Sequence, residues 1–233
     1  MQAWVDWAMG PAFRFALAFL VLGLIRHVAL TIWEINRAVR RAGDPNFPWK
    51  KLFVETVKWL VPIQKIGHRL YYGLTTFPYH IGVIIVPLFL AGHIALVRET
   101  LHISWPAIPR LLADALTLVV LLATVAIILE RALARDSRAI SRFSDYAIPI
   151  VVAVPFLSGF LMMHPSMNPM PFMATMFIHV MSVNLLFVLI PLTKLSHMVL
   201  LPTVQVITEV AWHFTPDGGA KVAVALGKEN EPV

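Results

Sequence analysis

The 233-residue sequence contains no cysteine. That absence excludes disulfides, thiolate-held iron–sulfur clusters and covalent attachment of a c-type haem, so any redox group must be held by His or Met. Charge is scarce as well: 14% of residues are Asp, Glu, Lys or Arg, against roughly 25% in soluble domains. Nucleotide-binding glycine motifs, zinc signatures and a hydrolase triad are missing, which leaves no candidate catalytic residue for soluble-type chemistry. What is present is apolar, with 58% hydrophobic residues and a mean hydropathy of +0.75. A chain of this kind reads as an all-α integral membrane bundle.

Five apolar runs, about 11–33, 73–97, 111–131, 145–163 and 172–201, are each close to the roughly 20 residues that cross a bilayer. They predict a membrane domain over 1–204 and a cytoplasmic tail over 205–233, polar after Pro216–Asp217–Gly218–Gly219. The start, MQAWVDWAMGPAFRF, has neither the basic opening nor the small-residue cleavage site of a signal peptide, so the first run reads as a retained helix.

The net charge of +6 does not point to nucleic acid, because the basic residues flank the apolar runs. Arg37, Arg40, Arg41, Lys50, Lys51, Lys58, Lys65 and Arg69 follow the first run, and Arg131, Arg135, Arg138 and Arg142 follow the third. The other side offers only Arg98 and Arg110, and twelve against two predicts the N-terminus outside and the C-terminus inside. Within the first basic stretch, Trp49, Leu52, Phe53, Val57, Leu60 and Val61 recur at helical spacing among lysines. Two readings are open: an amphipathic segment on the inner membrane surface, or a connector docked on a partner protein.

The run 171–204 carries His179 and His197, 18 residues apart. On one continuous helix that is about five whole turns and a rise of roughly 27 Å, so both rings leave one face near opposite membrane surfaces. The second run, FPYHIGVIIVPLFLAGHIAL, supplies His80 and His93. Because runs two and five cross in opposite directions, inner His80 faces inner His197 and outer His93 faces outer His179. Ionisable groups at membrane depth need a partner, and neutral imidazole is a good haem ligand. Two His pairs at two depths therefore predict two haem sites. The competing reading makes each a lone membrane histidine bonded to a nearby carbonyl, in a cofactor-free proton-relay or transporter subunit.

One mismatch is built in: His80 and His93 are 13 residues apart, about 220° beyond three turns, so they do not share a face unless Pro87 distorts the helix. Gly92, beside His93, lets a porphyrin approach the backbone or serves ordinary helix packing. Arg26, at the inner end of the first run, can pair with a haem propionate or snorkel to lipid phosphate. On the outer side Arg98, His102, Arg110, Asp114 and His164 gather near the level of His93. Arg110 or His102 could serve a quinone head group there. His68 and His213 read as surface residues.

These residues carry a family likeness. With YHIG and AGH in the second run, FIHV and PLTKLSHM in the fifth, RALARDSRAISRFSDY before the fourth and, more loosely, LGLIRH in the first, the chain resembles the gamma subunit of respiratory nitrate reductase. It also resembles the related cytochrome b subunits of sulfite-reductase-associated complexes. The resemblance implies five spans in a prokaryotic cytoplasmic membrane and two haem b groups. His93 with His179 would hold the distal haem and His80 with His197 the proximal one. It further implies electron transfer from quinol near the outer face to iron–sulfur and catalytic redox subunits inside, with Arg110 at the quinone site. The His80–His93 interval is longer than in the nitrate reductase subunits, and the inner stretch 34–72 is closer in length to the sulfite-reductase-associated branch.

Overall fold

The structure is a computed structural model that describes residues 1–42, 48–60, 70–212 and 218–229. His68, His213, Lys65 and Arg69 lie outside the described residues. Every regular element among the described residues is helical: α1 (Gln2–Trp7), α2 (Phe13–Ala42), α3 (Trp49–Leu60), α4 (Leu70–Phe89), α5 (Ala91–Leu101), α6 (Arg110–Leu133), α7 (Arg135–Ile140), α8 (Phe143–Met163), α9 (Phe172–Leu192), α10 (His197–Trp212) and α11 (Gly218–Ala225). Four stretches, Gln2–Arg41, Arg110–Leu133, Phe143–Met163 and Phe172–Leu192, are long and apolar enough to cross a membrane. A fifth follows if Gly73–Phe89 and Ala91–Glu99, bent by 44°, count as one span. This set fits a multi-pass membrane protein. The chain divides into two compact units, residues 1–15 with 63–186, and 16–62 with 187–233.

In the first unit α6 packs between α4 and α8. Its buried positions, Ala113, Thr117, Val120, Ala123 and Thr124, recur at helical spacing. Thr117 and Thr124 turn their hydroxyls back to the carbonyls of Ala113 and Val120, both at 2.8 Å, so this face buries no unpaired hydroxyl. Gly82 brings α4 against α6: a Cβ there would collide with the Val120 side chain and lie 3.0 Å from the Leu116 carbonyl oxygen.

The second apolar run is not one straight helix. Pro87 offers no N–H to the preceding turn and crowds it, and three residues later Leu90 leaves the helix at φ −71°, ψ 129°. The carbonyls of Pro87, Leu88 and Phe89 thereby lose helical partners, which is costly inside a bilayer. Each is repaired: His93 Nδ1–H donates to Pro87 at 2.9 Å, the Trp105 indole to Leu88 at 2.8 Å, and the Ile108 amide to Phe89 at 3.0 Å.

The helical stretch that carries the first apolar run begins at Gln2 and passes through a π-helical turn at Ala8–Ala12. Pro11 lacks the N–H that an α-helical turn needs there, and the wider turn accommodates it. Phe13 N–H then reaches the Ala8 carbonyl, which also accepts from Asn184 Nδ2 at 3.0 Å.

In the second unit Leu52 of α3 is buried against Ala38 and Val39 of α2 and Val206 of α10. Gly23 of α2 leaves room for the Pro191 ring, since a Cβ would come within 2.5 Å of it. Here the expectation of a single rod over 171–204 is corrected. α9 ends at Leu192, Thr193 is extended (φ −128°, ψ −175°), and a 3-10 turn at Lys194–Ser196 precedes α10. The Thr193 hydroxyl takes the Leu195 amide at 3.3 Å, and His27 Nε2–H takes the Pro191 carbonyl at 2.7 Å. Side chains thus replace the backbone bonds of a continuing helix, and the five-turn phase between His179 and His197 does not hold.

Candidate cofactor site

Two of the four histidines meet within the first unit. His93 stands in the first turn of α5, just past the break, and His179 stands in α9. Their ring centres are 6.2 Å apart with planes inclined by 20°. The break decides this: it re-aims the chain after Leu90, so His93 does not follow the helical phase that His80 sets.

Both rings are oriented from behind. His93 Nδ1–H donates to Pro87, and His179 Nδ1–H donates to the Pro155 carbonyl of α8 at 2.9 Å, with Ser158 Oγ at 3.2 Å. Because a carbonyl only accepts, each neutral ring carries its proton on Nδ1 and keeps a lone pair on Nε2. Metal-ligating imidazoles are held in this way, by a hydrogen bond from the ring nitrogen that faces away from the metal. His179 approaches α8 closely because residue 159 is glycine: a Cβ there would lie 3.2 Å from His179 Cε1.

With metal–imidazole bonds of about 2.0–2.1 Å, two imidazoles trans on one ion have ring centres roughly 6 to 6.5 Å apart. The observed 6.2 Å separates two stacked rings; it matches that interval as a distance between ring centres. Among the described residues no group of three or more His, Cys, Asp or Glu could hold a metal ion. Two imidazoles by themselves supply only two donors.

His80 of the first unit bonds the Thr76 carbonyl through Nδ1 at 2.8 Å, with the Tyr79 ring edge-on at 5.6 Å. His197, the first residue of α10 in the second unit, bonds the Lys194 carbonyl through Nδ1 at 2.8 Å. The same kind of bond occurs at His102 (to Arg98, 3.3 Å) and His164 (to Phe160, 2.9 Å), so the carbonyl bond by itself also suits a lone membrane histidine. The ring-to-ring relation of His93 and His179 is what sets that pair apart.

Gly92 has open space beside it, with nothing within 4 Å of an added Cβ. Arg26 is exposed on α2. Of the outer residues, the structure gathers Arg110, Asp114 and His164. Arg110 Nη2 donates to the Met163 carbonyl at 2.5 Å, its Nε lies 3.8 Å from Asp114 Oδ2, and His164 Nε2 is 3.4 Å from the same oxygen. Arg110 thus places a cation at the C-terminal end of α8, where the helix dipole favours one. His102 instead ends α5 in a left-handed conformation, φ 58°.

Sequence reasoning missed Gly159, Pro155 and Ser158, the seat of His179. The only signal was a glycine within an apolar run, which packing alone would also explain.

No family model matches the chain, and no solved structure matches it. A protein of Nitratidesulfovibrio vulgaris, described no further than as a protein, is 35% identical over 199 residues, which cover 82% of this chain and 85% of the relative. The chain belongs to one family with it.

Proposed function

We propose that the chain is similar in role to the gamma subunit of respiratory nitrate reductase and the cytochrome b subunits of sulfite-reductase-associated complexes, as the di-haem cytochrome b subunit of a quinol:acceptor oxidoreductase in a prokaryotic cytoplasmic membrane. It exchanges electrons with quinone or quinol near the outer surface and relays them to or from iron–sulfur and catalytic redox subunits on the inner side. The N-terminus is outside, the C-terminus inside, and α3 is interfacial. The observation that supports this reading most is the 6.2 Å approach of His93 and His179, each with Nδ1–H committed to a main-chain carbonyl.

On this reading His93 and His179 hold one haem b, and His80 and His197 the other. Haem, when bound, supplies reversible one-electron chemistry. The chain's own residues do the rest. The carbonyls of Pro87 and Pro155 fix ring rotation and tautomer, Gly92 keeps the backbone approachable, and Arg26 offers a cation to a propionate. The apolar spans exclude water. At the outer surface Arg110 is the donor for a quinone carbonyl, and Asp114 with His164 forms a carboxylate–imidazole pair able to accept a quinol proton.

Purified protein tests this directly. The expected outcome is a split α-band on reduction and two haems per chain by pyridine haemochromogen assay. A folded but colourless preparation sinks the reading and favours a cofactor-free proton-relay or transporter subunit. One haem per chain leaves only a single-haem anchor.

A further inference from the structure

We propose that α3 is a lipid-binding helix, seated in the head-group layer of the inner leaflet with Trp49, Phe53 and Val57 turned to the acyl chains and its lysines matched to anionic phospholipid. The proposal rests on the orientation given above and not on haem.

The sequence of α3, WKKLFVETVKWL, has three functional sides at about 100° per residue. Leu52 marks the first: it is 6% exposed and packs on Ala38, Val39 and Val206. About a quarter-turn away runs a stripe of Trp49, Phe53 and Val57, at i, i+4 and i+8, which are 50%, 71% and 46% exposed. Lys51 and Lys58 lie on the side roughly opposite that stripe, with Lys50 at its border. A helix lying in a membrane surface beside a spanning bundle needs this right-angled arrangement: one side on the bundle, one apolar side down, and basic groups on the side and top.

The depth agrees. The apolar run of the first span ends at about residue 33, where Trp33 carries the Arg37 guanidinium 5.6 Å from its ring centre, a pairing suited to the membrane–water boundary. Ala38 and Val39, which seat Leu52, are about 7–9 Å further along α2 at ~1.5 Å per residue. The head-group layer on each side is about 5–7.5 Å thick, which puts Ala38 and Val39 at its outer edge. Leu52 therefore ties α3 to that layer. Arg40 and Arg41 close α2 beside it, and this basic neighbourhood complements the anionic cytoplasmic leaflet.

The chain lacks cysteine, so Phe53→Cys or Lys51→Cys introduces one labelling site. Each variant, spin-labelled in nanodiscs of phosphatidylcholine with or without one-third phosphatidylglycerol, is probed with oxygen and with a water-soluble nickel chelate. The label at 53 is expected to be oxygen-accessible and several-fold protected from nickel, and the label at 51 the reverse. Protection at 53 should rise with phosphatidylglycerol, and Lys50→Gln with Lys58→Gln should remove that rise. Equal nickel access at 51 and 53 in both lipids overturns the proposal. So does protection at 53 that appears only when soluble partner subunits are added, which would assign the stripe to a protein. Haem measured in the same samples separates the readings, because a colourless sample with a protected label keeps the lipid site and loses the cytochrome. Reaction of Lys51→Cys in intact cells with an impermeant thiol reagent from the outside overturns the inner-leaflet placement.

Discussion

Gly159 and His179 are in contact across two helices: a Cβ built on Gly159 would lie 3.2 Å from Cε1 and 3.4 Å from Nδ1 of the histidine. The imidazole thus occupies the space that any other residue at 159 would claim, and its bond to Pro155 depends on that space. Gly159→Ala should move the ring by a few tenths of an ångström and, on the di-haem reading proposed above, shift the spectrum of the haem assigned to His93 and His179 and loosen it. Gly159→Val should lose that haem and keep the inner one, as read by haem per chain. Unchanged spectra in both variants would detach Gly159 from the site.

His93 and His179 should behave as one unit. His93→Ala and His179→Ala are each expected to delete the same spectral component, with the double variant no worse than either, since groups sharing one site are non-additive. His80→Ala combined with His93→Ala should delete both components. Removal of different components by His93→Ala and His179→Ala would break the pairing.

Two glycines of the second apolar run should answer oppositely to alanine. At Gly82 the new methyl meets the Val120 side chain and the Leu116 carbonyl; backbone on α6 cannot easily yield, so Gly82→Ala should cost about 1–3 kcal/mol by overpacking. At Gly92 nothing lies within 4 Å, and Gly92→Ala should stay within about 0.5 kcal/mol. Unfolding in mixed micelles compares the two. Gly92→Leu should lower haem content without lowering apoprotein stability, if that open space is where a porphyrin lies.

Asn184 is 5% exposed and donates to Ala8 in the π-turn, while its Oδ1 has no partner among the described residues. Because Ala8 also accepts the Phe13 amide, Asn184→Leu should cost only about 0.6 kcal/mol and no more than about 1.7, the range for polar contacts between membrane helices. A loss well above that, measured in the same assay, would mean that Oδ1 has a partner of its own.

The spans were legible because bilayer thickness imposes a length and an apolar composition on any helix that crosses it. Breaks in the helices were legible only as possibilities. Pro87 and Pro191 announce a lost amide, but whether a helix kinks, ends or restarts depends on what repairs the stranded carbonyls. For Pro87, Leu88 and Phe89 the repair comes from His93, Trp105 and Ile108; for Pro191 it comes from His27, far away in the chain. No local pattern encodes such a bond. The single rod over 171–204 failed for that reason, and the helical phase between His80 and His93 is interrupted at Leu90 for the same one.

Composition by itself determined that this chain is helical and apolar enough to enter a membrane, that thiolate chemistry is excluded, and which histidines lie in or beside its apolar runs. These are properties of residue type and spacing, which need no partner across the fold. Tertiary structure alone decided that His93 and His179 come within 6.2 Å, that Gly159 and Pro155 seat one of them, and that Arg110, Asp114 and His164 gather while His102 ends a helix. Each of these depends on one helix meeting another at a chosen depth and rotation, a choice made by close packing and by carbonyls that must find a donor where no water can supply one.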